Sequence, residues 1–368
     1  MMIYILVATF LAALVIAWIS IPVIIKVAEQ KHLYDEPDEA RKSHVSKIPT
    51  LGGIAIFAGT VISASFFAHQ SRHLDLGAFL SAMTILFFTG IKDDIIPLPP
   101  YKKFLAQLLA TCIIVFWGEV QLSSYYGFFF IYETTPIWLN LATIFTVIVI
   151  INAFNLIDGV NGLAGGIGLI VLATFGLWFY LHQEESLAIW AFATCGAVLG
   201  FLRYNLLVHA KIFMGDTGSL ILGFISAVFA IQFIEMNKTE LSFAGGKAPI
   251  FAVAVLIIPL FDTIRVFAIR LVNKRSPFSG DRNHLHHLLL DIGFNHIQTS
   301  FILYGMCLGA ILIGHYMRFL PAYGYLGIIL TFILIFTQIL VILKKKQQKK
   351  KLTNNMEELQ YKLSSNSR

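Results

Sequence analysis

The sequence predicts an all-α polytopic membrane protein with about eleven transmembrane helices, its N-terminus outside and its C-terminus in the cytoplasm. Three observations carry this. Hydrophobic residues make up 57% of the 368-residue chain and charged residues 13%, with a mean hydropathy of +0.76, far too apolar for a soluble globular protein. The apolar residues fall in runs of about 17 to 25, the length an α-helix needs to cross about 30 Å of hydrocarbon, whereas barrel strands would alternate. The positive charges, finally, crowd into alternate loops, which the positive-inside rule assigns to the cytoplasm.

The first run, Met2–Ile25, has no basic leader and no cleavage-like end before Lys26, so it reads as a retained helix. The runs Leu51–His69, Leu76–Ile91, Phe104–Val120, Ile137–Ile151, Leu163–Leu181, Leu187–Leu202, Gly218–Ile234, Pro249–Leu271, Ser300–Met317 and Tyr323–Leu343 follow. Residues 1–343 are expected to form one polytopic domain and 344–368 a basic cytoplasmic tail drawn to anionic headgroups. The cytoplasmic loops hold Lys26, Lys31, Arg41, Lys42 and Lys47, then Lys92, Lys102 and Lys103, then Arg203 and Lys211, then Arg265, Arg270, Lys274, Arg275 and Arg282. The opposite loops hold Arg72, Lys238, Lys247 and Arg318. The net charge of +6 therefore describes a membrane surface, and no nucleic-acid partner is expected. Cys112, Cys195 and Cys307 all lie inside apolar runs and read as small core residues. No internal repeat, P-loop or dinucleotide glycine pattern is present.

Polar residues gather at one boundary of this apolar body. The stretch from Asn152 to Gly166 joins two runs without a spacer and holds Asn152, Asn155, Asp158 and Asn161 among glycines. If the preceding helix continues to Asp158, then Asn152, Asn155 and Asp158 share one face that suits a hard cation or a phosphate. The plainer alternative is a polar hairpin capped by Asn and Gly. The third run ends in Asp93 and Asp94, two acids that are costly there unless they meet water, a cation or partners. Neighbouring helical positions diverge by about 100°, so the two should face different partners.

Gly215-Asp216-Thr217-Gly218-Ser219 opens the eighth run. Asp216 and Thr217 could simply cap it. A cytoplasmic helix N-terminus is also a phosphate site, and a carboxylate beside it suits Mg²⁺. After Asp262 and Arg265, the loop Ser276-Pro-Phe-Ser-Gly-Asp281-Arg282-Asn-His284-Leu-His286-His287 leads into a short apolar stripe of Leu285, Leu288, Leu289 and Ile292, with Asp281 as its cap and Gly293 as its end. On such a helix His284 and His287 share a face and His286 points away. Three close histidines invite a zinc reading, but the surrounding acids favour Mg²⁺. A secondary transporter would place its charged site near mid-membrane, whereas these acids collect at one boundary.

Taken in order, these sets resemble the polyprenyl-phosphate N-acetylhexosamine-1-phosphate transferases over essentially the whole membrane region. The acid pair with a following lysine and glutamine is matched by Asp93, Asp94, Lys103 and Gln107, and the family's NxxNxxDGxDGLA by Asn152, Asn155, Asp158, Gly159, Gly162, Leu163 and Ala164. At the second acid of that motif this chain departs and carries Asn161, where it is similar to the eukaryotic dolichol-linked members. The HxHH run after SPFxxDRxH resembles the branch that transfers GlcNAc-1-phosphate to undecaprenyl phosphate. The peptidoglycan-precursor branch, a phospho-MurNAc-pentapeptide transferase and the alternative reading, tends to three consecutive histidines.

The resemblance implies an enzyme of the bacterial cytoplasmic membrane. Its expected substrates are a UDP-N-acetylhexosamine and undecaprenyl phosphate, with UMP released and a lipid-linked cell-surface glycan begun. It implies Mg²⁺, with Mn²⁺ as a substitute, held by Asn155 and Asp216. The implied catalytic residues are Asp93, Asp94, Asp158, His284, His286 and His287, and the implied substrate-binding residues are Lys42, Lys103, Asn152, Asn161, Arg265 and Arg282. Membrane lipids and a second copy of the chain, in a homodimer, complete the expected partners.

Overall fold

The structure is a computed structural model that describes residues 2–33, 48–68, 74–127, 134–207, 209–238, 247–274 and 283–365. These residues form thirteen α-helices and no strand: α1 (Met2–Lys31), α2 (Gly52–Phe67), α3 (Leu76–Ile95), α4 (Pro100–Phe116), α5 (Pro136–Ile157), α6 (Leu163–Leu181), α7 (Glu185–Asn205), α8 (Gly215–Met236), α9 (Ala248–Val255), α10 (Ile257–Val272), α11 (Leu285–Ile292), α12 (His296–Met317) and α13 (Ala322–Ser365). Each apolar run read from the sequence has a helix in it.

Eight of the described helices are long and apolar enough to cross a membrane, or nine if α9 and α10 are one broken span. The all-α polytopic membrane architecture is therefore present. Of the remaining runs, α2 has 16 residues and α4 has 17, short of the roughly 20 that a straight crossing needs.

The run Pro249–Leu271 differs from the single straight helix expected of it. It is bent by 81° where α9 gives way to α10, at Leu256. Pro259 supplies a reason: inside a continuous helix its ring would meet the carbonyl of Val255, whereas in the first turn of a new helix its missing N–H costs nothing. Beyond the bend α10 is amphipathic. Asp262, Val266 and Arg270 are buried on one side while Ile264, Leu271 and Val272 are exposed on the other.

The core is built around α8, which is enclosed along its whole apolar length and touches α2, α3, α5, α6 and α9. Around it α1, α2, α6 and α7 pack as a second group. Small residues permit the close approach that van der Waals association in lipid requires. A Cβ at Gly90 of α3 would lie 2.4 Å from the Cα of Thr217, so only glycine lets α3 press its backbone against the start of α8. That contact sets the depth at which the acids just beyond Gly90 meet α8.

Candidate active site

The third helix ends in the two acids, and they part company as their positions on a helix dictate. Asp94 turns to α8: its Oδ1 accepts from the backbone N–H of Asp216 at 2.6 Å, and its Oδ2 from the N–H of Thr217 at 3.1 Å and the Thr217 hydroxyl at 2.6 Å. Free N–H groups at a helix N-terminus seek acceptors, and here a carboxylate from another helix supplies them. This corrects two expectations. Asp216 and Thr217 lie inside the first turn of α8 and do not cap it, the N-cap being Met214. The amides expected to receive a phosphate are already taken by Asp94.

Asp93 faces the other way. Its Oδ1 accepts from the Leu98 N–H at 2.5 Å, which ties the connection to α4 to the end of α3, and its Oδ2 lies 3.2 Å from Lys103 Nζ. Lys103 stands one turn into α4, and three oxygens surround its ammonium: Asp216 Oδ2 at 2.6 Å, Asp93 Oδ2 at 3.2 Å and Asn155 Oδ1 at 3.3 Å. The Asn155 amide nitrogen donates to Asp216 Oδ1 and, at 3.0 Å, to the Ser219 hydroxyl. One turn back on α5, Asn152 and Gln107 of α4 exchange hydrogen bonds at 2.8 and 3.4 Å, fixing α4 against α5. Residues from α3, α4, α5 and α8 thus meet in one cluster of hard oxygen donors around a cation.

Helix α5 ends at Ile157, and Asp158 follows as its C-cap. Burial, with the carboxylates of Asp216 and Asp94 nearby, pushes the Asp158 carboxyl up to about 8. Gly159 comes next, and a Cβ there would lie 2.7 Å from His286 Nε2, so the histidine of α11 rests on the turn that carries Asp158. Asn161 turns inward: it is buried, its amide donates to the Leu207 carbonyl at 3.3 Å, and its own carbonyl accepts from Ser300 at 2.8 Å. Its side chain ties the turn to the end of α7 rather than joining the carboxylates.

The histidines are arranged differently from the helical-wheel expectation. His284 precedes α11 as its N-cap, in extended conformation, so a helical spacing does not apply to it. Its ring lies parallel to that of His286, 5.4 Å away, and the His286 and His287 rings are 4.3 Å apart. His286, expected to point away, is buried at the centre of the group. Burial first, then the neighbouring His287, His284 and His296, holds its pKa well below the ordinary histidine value, so it is neutral.

Asp262 of α10 is the residue that sequence reasoning passed over. It is 1% exposed, and its Oδ2 lies 2.8 Å from His284 Nδ1 while its Oδ1 accepts from the Leu285 N–H at 2.8 Å. It therefore fixes the His284 ring and caps α11 at once, the capping role expected of Asp281. An acid within an otherwise apolar run was the available signal. Arg265, one turn on, donates to the Asn283 carbonyl at the entrance to α11. Lys42, Arg282 and Asp281 lie outside the described residues.

The profile of glycosyl transferase family 4 matches residues 76–234, which hold Asp93, Asp94, Lys103, Asn155, Asp158 and Asp216 but not the histidines. The chain is 33% identical over 279 residues to the undecaprenyl-phosphate alpha-N-acetylglucosaminyl 1-phosphate transferase of Escherichia coli K12, covering 74% of this chain and 73% of that protein. To the protein of the same description from Yersinia pestis it is 31% identical over 320 residues, 84% and 85% of the two chains. To a probable undecaprenyl-phosphate N-acetylglucosaminyl 1-phosphate transferase of Bacillus subtilis it is 31% identical over 305 residues, 81% of each.

Proposed function

We propose, from the premise that this chain belongs to glycosyl transferase family 4, that it transfers N-acetylglucosamine 1-phosphate from the UDP-sugar to undecaprenyl phosphate and releases UMP. Likeness to relatives so described, across most of both chains, supports the substrates. The observation that carries the site assignment is the convergence of Asp93, Asp216 and Asn155 oxygens on Lys103 at the end of an apolar bundle, with His286 against the Asp158 turn. Soluble donor and lipid acceptor meet where such a polar end borders an apolar flank.

In the reaction a phosphate oxygen of the acceptor attacks the sugar-bearing phosphorus of the donor, a new P–O–P linkage forms, and the bond to UMP breaks. Asp93 receives or orients the proton of the acceptor phosphate. Asp94, spent on the α8 N-terminus, holds Asp216 in place. Lys103 supplies a movable point charge to the phosphates. His284, fixed by Asp262, and His287 donate to the donor diphosphate and steady charge on departing UMP.

The donor set also fits a divalent ion. Carboxylate and amide oxygens that already enclose an ammonium are the ligands Mg²⁺ takes, usually one or two carboxylates with substrate phosphates and waters completing the shell. Asp216 and Asn155 would hold it, with Mn²⁺ as a substitute. When bound it neutralises the diphosphate.

We place this site on the cytoplasmic face of the bacterial inner membrane, with the N-terminus outside. The short helices α2 and α4 count as spans in that reading, giving about eleven. The test is purified protein in detergent with labelled UDP-GlcNAc and undecaprenyl phosphate. A labelled lipid product with equimolar UMP, dependent on added Mg²⁺, is expected; no lipid product with any UDP-N-acetylhexosamine overturns the reading.

A further inference from the structure

Helix α13 does not stop where its apolar run stops. It continues through Lys344 to Ser365 as one helix. Its less exposed positions Ile333, Thr337, Leu340, Lys344 and Gln347 recur at alternating intervals of four and three, so they form a single stripe along one face. That stripe passes from apolar to polar residues without shifting face. At the change it meets α11: Lys344 Nζ lies 2.8 Å from Asp291 Oδ2, and Gln347 Nε2 is the nearest atom to a Cβ built at Gly293, the residue that ends α11. Lys345, Lys346 and Lys349 are exposed on the other faces.

Asp291 is an odd choice for α11 taken alone. It occupies the penultimate position of the helix, where the helix dipole disfavours an acid. Eight residues are also too few for a helix to hold its shape unaided, so α11 depends on what packs against it. On one side it has Asp262 at its first N–H and His286 against Gly159. Near its other end stands the strut of α13.

We infer that Lys344 is a positioning residue for the transfer reaction. Acting through Asp291, it holds the far end of α11 down so that His286 stays against the Asp158–Gly159 turn, with His287 packed on the His286 ring. This rests on the reading above that the α11 histidines serve the transfer. The pair is part-exposed, at 25% and 31%, so its effect is modest and screened by salt.

The test uses full-length protein in detergent, with Lys344→Glu, Asp291→Lys, the double exchange, and Lys345→Glu as a control of equal charge change on an exposed face. Each is read by kcat, by KM for the UDP-sugar, and by amide hydrogen exchange in residues 285–292. Each single change at the pair should lower kcat about fivefold, the size a part-exposed ion pair permits, and speed exchange in α11, with KM little changed. The double exchange should restore both, and Lys345→Glu should alter neither. Unchanged exchange in Lys344→Glu overturns the inference. An equal loss in Lys345→Glu also overturns it, since general attraction of the tail to the surface would then be the cause. Faster exchange with unchanged kcat overturns it as well, and places the fault in the role given to the α11 histidines rather than in the contact.

Discussion

Asp94 caps a helix to which it does not belong, its carboxylate receiving the backbone N–H of Asp216 at 2.6 Å. The residue expected to bind metal is thus held at its backbone by the acid next to the one that meets Lys103. Asp94→Ala leaves two N–H groups and a hydroxyl without that acceptor, an expected loss of about 1–3 kcal/mol. Thermal unfolding in detergent measures it, and Asp94→Asn, which retains one acceptor, should lose less. A stability equal to wild type in the alanine variant would show that water serves as well.

Asp216→Asn keeps the size of the side chain and removes the charge that faces Lys103 at 2.6 Å. Most turnover should go while the protein still elutes as a folded species in detergent. Full activity would remove Asp216 from the proposed metal ligands and leave Asp93 or Asp94 as the next candidates.

Asp262→Asn alters the group that fixes His284 and caps α11. Misplacing a reacting group by about 1 Å can cost about 10²-fold, so a kcat loss of that order is expected, and His284→Ala or His287→Ala should cost roughly 10²-fold in at least one case. Because Asp262 and His284 act as a unit, the double variant should be little worse than the worse single one. Wild-type rates at saturating donor in both histidine variants would refute the assignment.

Two glycine substitutions separate stability from chemistry. Gly159→Ala puts a methyl 2.7 Å from His286 Nε2, the far end of a side chain and not backbone, so the ring has to give way. Turnover should fall with little change in melting temperature. Gly90→Ala puts it 2.4 Å from the Cα of Thr217, which cannot yield, and should destabilise by the 1–3 kcal/mol typical of overpacking.

The neutral His286 gives a pH signature. Its pKa is lower folded than unfolded, so between the two values the unfolded chain binds the extra proton. Its contribution is therefore fully favourable above the ordinary histidine value and is lost as pH falls below it. His284, His287 and His296 add to the repulsion on protonation, while Asp262 beside His284 offsets part of it. Melting temperature in detergent should drop from pH 7.5 to 5.5, and His286→Gln should flatten that slope. An unchanged slope in the variant would assign the acid sensitivity elsewhere.

The parts of this site that were legible in sequence are those set by local geometry. Adjacent helical positions diverge, so Asp93 and Asp94 were expected to part, and they do. Asn152 and Asn155 lie a turn apart on α5 and do face α4 and α8. Contacts between helices were not legible, because no period links their positions. Asp262 and His284 are 22 residues apart across a loop, and Asp94 and Thr217 are 123 apart. The His284–His287 face is absent for a local reason: the helix begins one residue after His284, so helical spacing does not extend to it. Pro259 was a signal for the break at Leu256, because its ring disfavours an unbroken helix through it, but α1 carries Pro22 without a break, so a proline alone does not decide.

Helix α8 is walled in by five neighbours along its whole apolar length, and its first turn carries Asp216. In mechanical terms it is the anvil of the machine. Whatever opens to admit a lipid and a nucleotide, and closes to exclude water, has to be the surrounding pieces moving relative to it, because a rod gripped on every side and pinned at its tip has no free stroke. The amides of α8 should accordingly be the last in the protein to exchange with solvent.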